Sequence, residues 1–379
     1  MTSEERKAAR RQRRESEREA KKQKALAPYD NYENVISLQS LFKAAKESKK
    51  GVAWKASVQR YFQRFFRNLI ETRRRLKRGL KVTQGFICFT LRERGKIRHI
   101  RSVHFKERVI QRSLSDNALV PALSRSLIYD NGASLKNKGI HFAMFRVKKH
   151  LQRYYRKHGN NQGWVLQIDF TGYFDNIQHE PIWKLLEKTF RDKRIIRLAH
   201  QFVDAFGEKS LGIGSQVSQI LAVAYPSDID HYAIEVLGLN LCERYMDDSI
   251  YIHESREYLE LCLEKLKVKF AEKGIILNPR KTQIIPLRKF TFLKVRYELT
   301  DSGKVLMRPC RDSITRQRRK LRSFQEKVDH GEMSLEDVRC SYESMRGYIA
   351  KLNCKKTIDR MDRYYFELFG LIPAAKRKR

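Results

Sequence analysis

Apolar and polar positions along this chain follow two periods, and each period predicts its own kind of element. Residues 165–170 are apolar on both faces, as a buried central strand requires. Residues 86–91 and 97–103 flank Arg92-Glu93-Arg94-Gly95-Lys96 and predict a hairpin, with Arg98 and Ile100 on the face opposite His99 and Arg101. Short aromatic and β-branched runs likewise flank Met246-Asp247-Asp248, which predicts a tight hairpin with acids at its tip. Elsewhere the rhythm is helical. Tyr61, Phe62, Phe65, Phe66, Leu69 and Ile70 fall on one wide apolar face, expected to pack into a core. Pro181 marks a helix start ahead of Ile182, Leu185, Leu186 and Phe190. Residues 258–273 are amphipathic and end at Gly274. Ser334-Leu335-Glu336-Asp337 has the form of a capping box, and Val338, Tyr342, Met345, Ile349 and Leu352 follow at helical spacing. Tyr364, Tyr365, Phe366, Leu368 and Phe369 are expected to close the last core. Residues 1–27 have high helix propensity but no apolar stripe, and read as a solvated helix or disordered arm that Pro28 ends.

Composition narrows the partners. The 379 residues suffice for two or three domain-sized units, and 41% hydrophobic content for a sizeable core. Against 43 acids stand 80 Lys and Arg, a net charge of +37. That excess attracts polyanions, nucleic acid first and an anionic membrane second. No run of about 18 apolar residues exists to span a bilayer, and the N-terminus lacks the apolar stretch of a secretory signal. The six cysteines are scattered with no Cys-x-x-Cys pair, so neither a zinc knuckle nor a disulfide framework is indicated, and a cytoplasmic location fits.

The chemistry is concentrated in acids. Adjacent carboxylates repel, and burying them is unfavourable unless cations compensate. Two divalent cations about 4 Å apart would do so, and would clamp the attacking and leaving oxygens of a phosphoryl transfer. Such a site wants a further carboxylate, and Asp169, at the end of an apolar strand, supplies one. Gly212 and Gly214 allow close backbone approach to a ligand and open a helix from Ser215 onward.

Asp169 in that setting, then Gly214-Ser215-Gln216-Val217-Ser218-Gln219, Tyr245-Met246-Asp247-Asp248, Lys281-Thr282 and Phe292-Leu293-Lys294, resembles the ordered motif series of reverse transcriptases. The resemblance covers about residues 85–370. It implies an α/β (α+β) right-hand polymerase, with a basic arm at 1–27, fingers at 28–163, a palm at 164–304 with fingers helices inserted around 181–210, and a helical thumb and basic tail at 305–379. It implies that Asp169, Asp247 and Asp248, aided by the carbonyl of Phe170, hold two Mg²⁺, with Mn²⁺ able to substitute; hard oxygen ligands suit Mg²⁺ better than zinc. Arg98, with Lys96 and Arg92, would hold the incoming triphosphate. Phe174 would stack under the deoxyribose and clash with a 2′-hydroxyl, and Lys281 would neutralise or protonate the pyrophosphate. Lys294 stands where the primer-grip motif usually has Gly, which leaves the local bend open.

Two departures narrow the group. Ile213 stands where the family pattern has a Gln near the nascent base pair, and Gln219 where it has Pro. Both resemble the reverse transcriptases of diversity-generating retroelements. Ser-Gln also occurs in phage-defence reverse transcriptases, and such an enzyme, with templated or template-independent DNA synthesis, is the alternative reading. A non-catalytic RNA-binding or maturase-like protein is a third, which would not need all three acids. The partners implied are an RNA template and the cDNA or primer, a structured noncoding RNA, and an accessory protein of a diversity-generating element.

Overall fold

In the computed structural model residues 3–93 and 95–373 are described. Helix α1 (Ser3–Leu26) is exposed until its last turn, having no apolar stripe to dock. Helix α2 (Tyr32–Ile36) begins at Asn31, whose side-chain oxygen accepts from the backbone of Glu33 and Asn34, and α3 (Leu38–Lys49) begins at the Ser37 hydroxyl. Next come α4 (Ala56–Gln63) and α5 (Phe65–Lys77), separated at Arg64, whose φ of −117° and ψ of 39° are not helical. The break divides the apolar face expected over 61–70. Tyr61 and Leu69 are buried, whereas Phe66 and Ile70 remain 69% and 59% exposed.

Strands β1 (Phe86–Glu93) and β2 (Lys96–Val103) pair antiparallel as expected, from Phe86 opposite Val103 to Glu93 opposite Lys96. Helix α6 (Phe105–Leu114), a π turn at Ser115–Leu119, α7 (Val120–Leu123) and α8 (Ile140–His158) follow. Then come β3 (Trp164–Ile168), α9 (Tyr173–Asn176), α10 (His179–Thr189), α11 (Lys193–Asp204), α12 (Gln216–Ala224) and α13 (Ser227–His231). The hairpin β4 (Cys242–Tyr245) and β5 (Asp248–His253) leads into α14 (Arg256–Glu272). Strands β6 (Gln283–Pro286), β7 (Lys289–Phe292), β8 (Val295–Leu299) and β9 (Val305–Pro309) precede the last three helices, α15 (Arg311–Asp329), α16 (Leu335–Ile349) and α17 (Lys355–Phe369).

The chain divides into two interleaved units. One comprises Met1–Gly139, Asp169–Gly238 and Glu264–Asn278, the other Ile140–Ile168, Leu239–Leu263 and Pro279–Arg379. The hub of the first is α6, which buries Phe105, Val109, Ile110 and Leu114 against α2, α3, α4, α11 and α12. The second holds an antiparallel sheet in the order β4-β5-β3-β6. Its inner strand β3 buries Val165, Leu166 and Ile168, consistent with a strand apolar on both faces. A second sheet, β7-β8-β9, turns Phe290, Phe292, Val295, Tyr297 and Leu299 onto the same core as Val147 and Leu151 of α8. Leu293 and Lys294 join β7 to β8 with φ of 48° and 64°. Lys294 thus adopts the left-handed conformation a Gly would adopt, and the bend is kept.

Helices α15, α16 and α17 share a core of Leu321, Val338, Tyr342, Met361 and Tyr365. The rings of Tyr342 and Tyr365 stack at 4.0 Å, and Arg346 bonds to Asp362 through two nitrogens. The Ser334–Asp337 capping box forms as expected, while Phe366 turns outward at 53% exposure. No helix among the described residues is long and apolar enough to cross a membrane.

Candidate active site

In the second unit the acids sit on a two-residue turn. Tyr245 pairs with Asp248, so Met246 and Asp247 form the tip and Asp248 opens β5. Met246 has φ of 58°, a conformation in which a side chain costs energy that Gly would avoid. Such strain is held where the flanking strands over-determine the turn. Asp247 and Asp248 are half-buried. Ile168 pairs with Ser249, so β3 ends beside the start of β5, and the next residue in the chain is Asp169. Across β3, Gln167 pairs with Gln283. Lys281, exposed in the turn just before β6, therefore lies at the same edge of the sheet as Asp247 and Asp248.

In the first unit Asp169 is 7% exposed. Its carboxylate accepts from the Asn278 amide at 3.1 Å, and its carbonyl accepts from the Asn278 backbone N–H at 2.8 Å. Phe170 bridges Leu277, and Thr171 donates to Ile276, so 169–171 and 276–278 are zipped together. The Phe170 ring is buried against Phe270 and Tyr173. Asn278 was not singled out in the sequence; a lone Asn before a Pro reads as a turn residue, and only its distance from Asp169 reveals what it does. Asn278→Ala removes one donor to that carboxylate. A hydrogen bond to a charged group is worth about 1.5–3 kcal/mol, so affinity for a divalent cation at this carboxylate is expected to fall about tenfold to hundredfold, read by calorimetric titration.

Phe174 is half-buried, and its carbonyl accepts from Leu211 at 2.9 Å. Ile177 and Ser210 pair in the same way, and the buried His179 donates through Nε2 to the Ser210 carbonyl at 2.8 Å. Phe174 and the Gly212-Ile213-Gly214 loop are thereby held close. That loop is pressed against the chain itself. The Ile213 carbonyl accepts from the Arg101 N–H at 3.3 Å, and a Cβ on Gly214 would stand 2.8 Å from the Arg101 carbonyl oxygen. A Cβ on Gly212 would meet the Phe206 ring, which in turn lies 4.6 Å from the ring of Phe86. The two glycines thus seat the loop on the base of the β1–β2 hairpin.

A buried polar chain supports this joint. Gln84 N–H and Gln111 Nε2 donate to Glu107, and Gln111 Oε1 accepts from the Ser215 hydroxyl and the Gln216 N–H. Burial pushes the Glu107 carboxyl up from its ordinary range, against both hydrogen bonds. Ser215 then caps α12 at Ser218, and Gln219 is exposed on that helix. The Tyr173 hydroxyl also reaches α12, donating to Ala222 at 2.6 Å. Arg98 is exposed on β2 opposite Leu91, about 10 Å along the strand from Arg101. The Lys96 side chain lies outside the described residues.

In each unit the candidate ligands are carboxylates, whose hard oxygens suit a divalent cation such as Mg²⁺. No three or more His, Cys, Asp or Glu side chains are gathered as a metal cage among the described residues. Mg²⁺ at phosphate-transferring sites takes one or two carboxylates and fills its remaining positions with waters and substrate oxygens, so it does not require such a cage.

Residues 80–297, more than half of the chain, match the model of the family described as reverse transcriptase (RNA-dependent DNA polymerase). No curated protein matches. Among solved structures, the chain is similar to the telomerase of Candida albicans in complex with a TWJ fragment of telomeric RNA, at 12% identity and a TM-score of 0.49, over 76% of this chain and 61% of that one. It is also similar to apo telomerase of Candida tropicalis, at 14% identity and 0.47, over 76% and 58%. A form of that protein truncated from its C-terminal domain matches at 13% and 0.45, over 63% and 59%. The chain spans about three fifths of each matched telomerase chain.

Proposed function

Since the chain belongs to the reverse transcriptase (RNA-dependent DNA polymerase) family, we propose that it is an RNA-directed DNA polymerase whose nucleotidyl transfer is centred on Asp169, Asp247 and Asp248. The observation that carries this reading is the Asp247-Asp248 hairpin at the strand edge where β3 runs out into Asp169, all inside the matched residues. Residues 28–163 act as fingers, 164–304 as palm and 305–379 as thumb. When bound, two Mg²⁺ ions would acidify the primer 3′-hydroxyl and offset charge on the triphosphate.

The chain's own residues do the rest. Asn278 orients the Asp169 carboxylate, and the Phe170 carbonyl adds an oxygen. Arg98, with Lys96 beyond it on the hairpin, holds the triphosphate. Phe174 lies under the sugar and excludes a 2′-hydroxyl. Lys281 neutralises the departing pyrophosphate. Ile213, Gly214 and Gln219 border the nascent base pair.

A DNA primer annealed to RNA, incubated with dNTPs and Mg²⁺, tests the activity. Extension that EDTA stops is expected; no extension on any RNA template would overturn the reading.

The biological role we assign is that of a diversity-generating retroelement, acting in the cytoplasm with a structured noncoding RNA and an accessory protein. Ile213 supports it, because Ile offers no side-chain hydrogen bond to the templating or incoming nucleotide. One such bond is worth roughly 0.5–1.5 kcal/mol. Ile213→Gln is therefore expected to lower misincorporation opposite template adenine about threefold to tenfold, read by sequencing cDNA from one template. Equal adenine error rates would move the assignment to phage defence, which the Ser218-Gln219 pair also suits.

A further inference from the structure

Helix α5 carries a face that the polymerase reading leaves unused. Phe66, Ile70, Arg73, Arg74 and Lys77 succeed one another at helical spacing, so they share one side of the helix. Phe66 and Ile70 are 69% and 59% exposed, and Leu38 beside them is 41% exposed. Together Leu38, Ile70, Arg73, Arg74, Lys77 and Arg78 line a groove of about 470 Å³ with no acid in it. The acid on this helix, Glu71, is engaged elsewhere, 3.2 Å from Lys106. Arg73 is half-buried, and its Nε has no hydrogen-bond partner among the described residues. A buried guanidinium N–H of this kind lacks an acceptor.

Behind Phe66 the half-buried rings of Phe65, Phe62 and Phe42 continue the aromatic surface. Successive centroids lie 5.4 Å apart for Phe66 and Phe65, and 4.7 Å apart for the stacked Phe65 and Phe62. Lys46 and Lys49 lie over the rings of Phe42 and Phe62. Three large apolar side chains exposed together are not the scattered exposure of an ordinary surface. Helix α1 has no apolar stripe with which to cover them.

We propose that this face of α5 is a second nucleic-acid site, which takes unpaired RNA. Unpaired bases offer flat faces to stack on Phe66 and pack on Ile70, and their phosphates meet Arg73, Arg74 and Lys77 one to three turns along. The span from Phe66 to Lys77 is about 16 Å, the reach of a few nucleotides. A-form duplex keeps its bases stacked inside and would use only the cations. The site precedes residue 80, where the family match begins, and rests on the polymerase reading only in being a site additional to the one that holds the hybrid.

The test uses the full chain with its duplex-binding surfaces saturated by unlabelled blunt RNA–DNA hybrid, and follows a fluorescein-labelled oligouridylate by anisotropy. Phe66→Ala is expected to weaken oligouridylate binding about tenfold, and Phe66→Ala with Arg74→Ala further. Both should leave the melting temperature, the affinity for the hybrid and the extension of a pre-annealed primer within about twofold of wild type or unshifted. Phe66 is exposed, so its truncation uncovers no core. Unchanged oligouridylate affinity in Phe66→Ala overturns the proposal and leaves an acidic protein as the occupant to seek. Loss in Arg74→Ala alone, equal on oligouridylate and hybrid, overturns it in favour of a surface that reads phosphate only.

Discussion

Asp247→Asn is expected to reduce primer extension on RNA by at least about three orders of magnitude while RNA affinity stays within about twofold. The substitution keeps the shape of the side chain at the hairpin tip, where Tyr245 pairs with Asp248, but removes a charge. Stabilisation of the reacting phosphate by a bound cation is worth several kcal/mol, and each 1.36 kcal/mol is a factor of ten in rate. Affinity for RNA is expected to come instead from the excess of 80 Lys and Arg over 43 acids, which the substitution barely alters. Single-turnover extension and filter binding on one preparation separate the two. Near wild-type extension by Asp247→Asn would mean that the hairpin acids are not the metal-holding carboxylates.

Gly214→Ala is expected to destabilise the protein by about 2–4 kcal/mol and to abolish extension. At φ of 122° a side chain is strained by about 1–3 kcal/mol whatever space surrounds it. Here the space is also taken, by the Arg101 carbonyl oxygen 2.8 Å from the new Cβ, and backbone cannot swing aside as a side-chain tip can. The loop must leave the hairpin base, and with it the contact that positions Ile213. Gly159→Ala is the control, since its φ of 68° is left-handed but nothing lies within 4 Å. It should show the conformational cost alone. Equal melting temperatures for the two variants would sink the idea of a tight seat at Gly214.

How much of this was legible in the sequence differs from element to element. Period-two runs broken by short polar turns located both the β1–β2 and β4–β5 hairpins, because alternation and turn chemistry are local properties. The capping box at Ser334 was legible for the same reason. The face over 61–70 was misjudged because periodicity tells which residues share a side but not whether anything covers it, and Arg64 leaves the helical conformation without a Gly or Pro to mark the break. Lys294 adopts a backbone conformation its side chain does not advertise, imposed by the two strands it joins. Asn278 and Gln111 act across long stretches of chain, through single amide groups, and no periodic pattern carries that information. Glycine spacing did mark 212–214 as a place of close approach. What the structure adds is that the approaching partner there includes the chain's own hairpin.

The position of β3 inside its sheet also bears on how the protein is made. Its neighbours β5 and β6 are encoded about 80 and 115 residues further on. A ribosome adding about 5–20 residues per second therefore leaves Val165, Leu166 and Ile168 without their first sheet partner for about 4–16 s, and without the second for about 6–23 s, after they are synthesised. A short strand apolar on both faces, waiting that long, is a natural recognition point for chaperones. At high expression it is equally the segment through which nascent chains would aggregate, so a weaker promoter, which lowers the number of such chains present at once, should raise the soluble fraction.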